Sequence, residues 1–143
     1  MRVSKKIMVF GTFDGLHQGH LNFFKQAQKL VKRPLKPFLI VSVARDKNVK
    51  QIKGKRPFLN EKKRMALVRN CPLVDKVVLS GARDHLPHII KESPDIIALG
   101  YDQKAYVKNL KKDLKSRGIE IKLARLKPYK EKLYKNHLIR AQK

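Results

Sequence analysis

A three-layer α/β/α domain built on one parallel sheet is what this sequence predicts, and three observations carry that expectation. Short apolar runs that read as buried strands alternate along the chain with segments of helical periodicity, the pattern of successive βαβ units. Each apolar run ends at a glycine or a polar loop, as strands do where the chain turns into a helix. At 143 residues, with hydrophobic residues at 42%, the chain is long enough to bury one core.

The elements follow in order. Ile7-Met8-Val9-Phe10 is a short apolar run ending at Gly11 and forms the first strand. Leu21, Phe24, Ala27, Leu30 and Val31 recur at helical spacing, and Pro34 stops that helix. Phe38–Val43 is the second strand, followed by a polar loop expected to run through Pro57. Asn60 caps a helix carrying Met65, Leu67 and Val68, which Pro72 ends. Val77–Leu79 is the third strand, closed by Ser80-Gly81, and a short helix near Asp84–Glu92 leads to the fourth strand, Asp95–Leu99. Gln103–Arg117 reads as a basic helix stopped by Gly118, with Ile119–Leu123 as the fifth strand and Lys135–Gln142 as a last short helix. No internal repeat or linker interrupts the pattern, so residues 1–143 are read as a single domain.

Composition narrows the function classes. No apolar run is long enough to span a bilayer and nothing resembles a signal peptide, so a soluble cytoplasmic protein with no membrane partner is expected. Cys71 is the only cysteine, which excludes an internal disulfide and a cysteine-based metal cluster; a small buried thiol is expected there. Lys and Arg total 35 against 11 acidic residues, for a formal charge of +24. Such an excess attracts polyanions, including nucleotides and nucleic acid. The cations are spread along the whole chain, as they are on an ordinary lysine-rich surface, so charge alone selects no partner.

In a parallel sheet, ligands bind beyond the carboxyl ends of the strands, where the strand order reverses. The loop after the first strand reads Gly11-Thr12-Phe13-Asp14-Gly15-Leu16-His17-Gln18-Gly19-His20. Gly11 lets the backbone approach a phosphate, and the N–H groups at a helix start face an anion. His17 and His20 stand three apart and share one face at the positive end of the helix. Two imidazoles there can donate to phosphate oxygens and stabilise charge growing on an attacked phosphate. A zinc pair is the competing chemistry, without an evident third ligand, and two incidental surface histidines are the bland alternative.

This stretch resembles the HxGH signature of the cytidylyltransferase-like nucleotidyltransferases, in its GTFDxxHxGH form. Val43-Ala44-Arg45-Asp46 and Lys53-Gly54-Lys55-Arg56-Pro57 are similar to the ARD and KGRKP stretches of archaeal-type FAD synthases. Leu99-Gly100-Tyr101-Asp102-Gln103 resembles their LGYDQ, and Arg64 matches an arginine of the family. Near the C-terminus, Leu126-Lys127-Pro128-Tyr129-Lys130 and Tyr134–Arg140 resemble the closing segment, with one departure. Asn136 and His137 stand where the family has a serine/threonine pair that cradles phosphates.

The resemblance implies a Rossmann-like fold and a nucleotidyltransferase that moves AMP from ATP to FMN, giving FAD and pyrophosphate. It implies His17 and His20 as catalytic residues. Gly11, Thr12, Phe13, Asp14, Gln18, Gly19, Asp102 and Tyr129 join them in nucleotide binding, while Lys53, Lys55, Arg56, Asn136 and His137 contact phosphates. A magnesium ion or another divalent cation is expected on the phosphates, with no dedicated protein ligands, and a homodimer is possible. CTP with glycerol 3-phosphate or a similar small phosphate is the enzymatic alternative. An inactive homologue that binds nucleic acid is the alternative from another class, motivated by the charge and the altered Lys135-Asn136-His137 turn. Phe13, Phe23, Phe24 and Tyr106 are the aromatic candidates for holding a flavin ring, the first three reading better as packing. His85 and His88 are expected to be partly exposed and structural.

Overall fold

The computed structural model describes residues 3–81, 85–100, 103 and 107–128. Among the described residues ten elements follow in order: β1 (Ser4–Gly11), α1 (Gln18–Lys29), β2 (Lys36–Val43), α2 (Asp46–Lys53), α3 (Glu61–Arg69), β3 (Lys76–Leu79), α4 (His85–Glu92), β4 (Ile96–Leu99), α5 (Val107–Ser116) and β5 (Lys122–Arg125). All strand pairs are parallel, in the order β3-β2-β1-β4-β5. The chain winds outward from β1 to β3 and then returns to place β4 on the other side of β1. The order therefore reverses between β1 and β4.

Alternation along the strands divides the core into two layers. Ile7, Val9, Leu39, Val41 and Val43 face Phe24, Ala27 and Val68 of α1 and α3. Met8, Phe10, Ile40, Ile97 and Leu99 face Leu86, Ile89, Leu110 and Leu114 of α4 and α5. Every residue of β4 is buried, as a central strand covered on both faces requires. Cys71 is buried in the first layer, as expected of a small thiol. Among the described residues no helix is long and apolar enough to cross a membrane.

Three expected elements shift. The loop expected through Pro57 contains α2, which ends at Gly54 in the left-handed conformation (φ 78). Its sequence, Asp-Lys-Asn-Val-Lys-Gln-Ile-Lys, holds two apolar residues among eight, too sparse for periodicity to reveal. The fifth strand lies at Lys122–Arg125 rather than Ile119–Leu123, because Ile119 and Ile121 pack against the second core layer before the ladder begins at Ile96↔Lys122. Gln103, expected to start the basic helix, is not helical; its amide is engaged elsewhere. The expected helix at Lys135–Gln142 lies outside the described residues.

Candidate active site

The loop after β1 begins with a reversal that only a small residue at position 11 permits. Phe13 adopts φ 55, uncommon for a side-chain-bearing residue, and its ring falls back over Gly11. A Cβ on Gly11 would stand 2.6 Å from Phe13 Cζ, well inside contact distance. Gly11 thus makes room for an aromatic ring of its own loop, a reason the sequence did not disclose. Phe13 is buried, packs against Phe24 at 5.6 Å and meets the His20 ring edge-on at 5.3 Å. The loop therefore rests on the core, and His20 rests on the loop.

His17 is the N-cap of α1 and His20 its third residue, and the two form a reciprocal capping box. The His20 backbone N–H donates to His17 Nδ1 at 3.3 Å, and the His17 N–H donates to His20 Nδ1 at 3.4 Å. The rings stack with centroids 3.7 Å apart. An Nδ1 that accepts carries no proton, so each imidazole is the Nε2-protonated tautomer and keeps an N–H donor there. Burial lowers both from the ordinary histidine value, His20 to about 4 with its neighbour His17 adding to the effect. At neutral pH the pair is two uncharged donors at the positive end of a helix, suited to phosphate oxygens. Gln18 and Gly19 lie between them in the first turn, Gln18 exposed.

One arginine ties this loop to its neighbours. Arg64 of α3 is fully buried, with Nη1 donating to Thr12 O at 2.8 Å, Nε to Leu59 O at 3.0 Å and Nη2 to Asp46 Oδ1 at 2.6 Å. Asp46 and Glu61, which open α2 and α3, exchange backbone-to-carboxylate bonds of 3.1 and 3.2 Å. Arg45 crosses to Ser80 O at 2.7 Å, joining the end of β2 to the end of β3. Asp14, expected beside the nucleotide, accepts the Phe58 and Leu59 N–H groups at 2.6 and 2.7 Å and so anchors the loop that carries Lys55 and Arg56. Both of those cations are exposed.

On the other side of the reversal, Gln103 spans the crevice. Its Nε2 donates to Phe10 O and its Oε1 accepts from Gly100 N, each at 2.8 Å, while Arg125 Nη1 donates to Gly100 O and Gln103 O. Sequence reasoning missed this latch and the burial of Arg64; the LGYDQ and ARD stretches marked both places without disclosing the bonds. Asp102, Tyr129, Asn136, His137, Tyr106 and the side chain of Lys53 lie outside the described residues. The structure thus gathers Gly11–His20, Asp46, Arg64, Lys55 and Arg56 at the carboxyl ends of β1 and β2.

Known proteins are similar to this chain over most of its length. The FAD synthase of Korarchaeum cryptofilum is 40% identical over 126 residues, 88% of this chain and 84% of that protein. The FAD synthase of Thermoplasma volcanium is 35% identical, covering 94% of this chain and 91% of its own. The crystal structure of the lipopolysaccharide core biosynthesis protein from Thermoplasma volcanium matches with a TM-score of 0.77 and 36% identity, over 87% of this chain and 98% of that one. A family model described as cytidylyltransferase-like matches residues 8–141, and the chain belongs to that family.

Proposed function

We propose that this protein is an FMN adenylyltransferase, transferring AMP from ATP to FMN with release of pyrophosphate. An FMN phosphate oxygen attacks the α-phosphorus, and the bond from that phosphorus to the bridging oxygen breaks. The electron pair of that bond leaves on pyrophosphate. No side-chain nucleophile takes part, so the protein acts by positioning and charge neutralisation. The observation that carries this reading is the stacked, backbone-tied His17–His20 pair at the N-terminus of α1. Its two Nε2–H donors hold the α- and β-phosphates and follow the charge as it grows.

In the same reading Lys53, Lys55, Arg56, Asn136 and His137 meet the leaving pyrophosphate, and Asp102 and Tyr129 contact the nucleotide. ATP and FMN are favoured over CTP because the relatives aligned over most of the chain carry the name FAD synthase. Asp14 and Asp46 are already bonded to backbone amides and to Arg64, and no group of three potential ligands stands among the described residues. A magnesium ion arriving on the triphosphate would neutralise phosphate charge there.

The test crosses ATP and CTP against FMN and glycerol 3-phosphate in a pyrophosphate-release assay with magnesium present. Release with ATP and FMN, with FAD in the product, is the expected result. Release only with CTP transfers the protein to the cytidylyltransferase alternative. A folded protein silent in all four, yet binding nucleic acid with an affinity that collapses as salt rises, would replace the reading with the binding module.

A further inference from the structure

Phe58 is 94% exposed, the extreme case among the described residues' large hydrophobic side chains. A phenyl ring left in water forgoes the burial that makes such residues useful to a fold. Its own backbone N–H and the two residues after it are held by hydrogen bonds. The Phe58 N–H and the Leu59 N–H both donate to Asp14, and Leu59 O accepts from buried Arg64. Asn60 then caps α3 through the Lys63 N–H at 2.9 Å. A carboxylate of the Gly11–His20 loop thus holds an exposed aromatic residue in place close in sequence to Lys55 and Arg56.

The reaction proposed above brings two planar ring systems to this rim, and strand order separates them. Gly100 and Gln103, of the stretch assigned to the nucleotide in that proposal, follow β4 on one flank of β1. Phe58 belongs to the segment between β2 and α3 on the opposite flank, bonded to the β1 loop through Asp14. We propose that Phe58 is the platform on which the isoalloxazine ring of the FMN acceptor stacks, placing the acceptor phosphate toward His17 and His20. The assignment rests on the adenylyl-transfer reading and adds to it the acceptor subsite that sequence alone did not locate. Stacking suits this ring because its large face offers area and polarisable contact while its edge carries the polar atoms.

The first experiment measures steady-state kinetics of FAD formation by the wild type, Phe58→Ala, Phe58→Leu and Phe58→Tyr. Phe58→Ala should raise the KM for FMN about tenfold and leave the KM for ATP within about twofold. Phe58→Leu should behave like the alanine variant and Phe58→Tyr should restore the wild-type value, because planarity is what counts. Because the side chain is exposed, none of these changes removes core packing. A second readout uses the absence of tryptophan from the chain. In Phe58→Trp, FMN should quench the indole emission saturably, and magnesium-ATP alone should leave it nearly unchanged.

An unchanged KM for FMN across the series, in an enzyme that makes FAD, overturns the platform and leaves the reaction standing. Quenching by ATP but not FMN overturns it in favour of an adenine contact. A change in oligomeric state on Phe58→Ala with no change in KM assigns the ring to contact between copies instead. A wild type that makes no FAD removes the reaction and the platform together.

Discussion

His17-Gln18-Gly19-His20 and His85-Leu86-Pro87-His88 place two imidazoles three residues apart, and the fold uses them in opposite ways. The first pair straddles a helix N-terminus at the reversal of strand order. Its Nδ1 atoms are spent on backbone N–H groups, so its rings stack on each other. The second pair lies within α4 against the sheet. His88 Nε2 bonds Ser42 Oγ at 2.8 Å, and the His85 ring meets Phe10 edge-on at 5.4 Å, on a helix whose Leu86 and Ile89 are buried. Spacing alone says that two side chains share a face. What lies under that face decides the rest: a glycine-flanked loop in one case, a packed sheet in the other.

Replacing His17 breaks the comparison most directly, and the capping box dictates how to do it. Alanine would remove an imidazole and a helix cap together, confusing chemistry with folding. His17→Asn keeps a good N-cap. It should lower turnover by about 100- to 1,000-fold, the cost of one lost donor to a developing oxyanion, with stability within about 1 kcal/mol. Comparable losses in urea titration and in kcat would sink the catalytic assignment. Arg64→Met tests the frame instead of the donor. It leaves Asp46 and two backbone carbonyls without their partner, so unfolding should cost about 3 kcal/mol less than in the wild type, and turnover should fall with it. A loss below about 1 kcal/mol would mean that the β1 loop holds itself.

Acid should weaken the first pair's hold on its loop. The folded-state value of about 4 for His20 lies below the ordinary 6.5, so the unfolded chain takes up a proton first as pH falls. The stabilisation is complete above pH 6.5 and drains away toward pH 4, on the order of 2 kcal/mol of it gone by pH 5. Protonation also forbids His20 Nδ1 from accepting the His17 N–H, so the loop and the helix cap should loosen together. His17 and His88 are lowered by burial as well and push in the same direction; for His88, Glu92 works against the shift while His85, Lys91 and Arg45 add to it. Urea midpoints across this range should flatten most in His20→Asn. A slope unchanged by that substitution would place the titration elsewhere.

The central strands were legible because β1, β2 and β4 carry continuous apolar runs, whereas β5, reading Lys-Leu-Ala-Arg, was expected three residues early; the glycine–histidine loop was legible because its residues match a known pattern. The connections between the loops were not. Arg64 looks like one more cation on a basic helix, since a sequence carries no mark that Thr12 O, Leu59 O and Asp46 converge around it. The acidic residues were opaque for the same reason. Asp14, Asp46, Glu61, Asp75, Glu92 and Asp95 each bond a backbone N–H or a basic side chain, whether exposed like Asp14 and Asp75 or buried like Glu92. Each carboxylate is committed to joining segments distant in sequence, which composition does not show.

The smallest effect is the control that gives the comparison its edge. Ser42 is buried in β2 and its hydroxyl meets His88 across the layer between the sheet and α4. Ser42→Ala removes one side of a single hydrogen bond and leaves a buried ring nitrogen to find another partner, so stability should fall by about 1 kcal/mol. Turnover should stay within about twofold of wild type, because Ser42 and His88 pack beneath the rim rather than on it. Double substitution of Ser42→Ala with His88→Phe should recover part of the loss, since an apolar pair of similar shape has no unmet polar atom. A serine variant that instead lost activity as steeply as His17→Asn would bring the second pair into the chemistry. The two HxxH stretches would then differ in distance from the phosphates and not in kind.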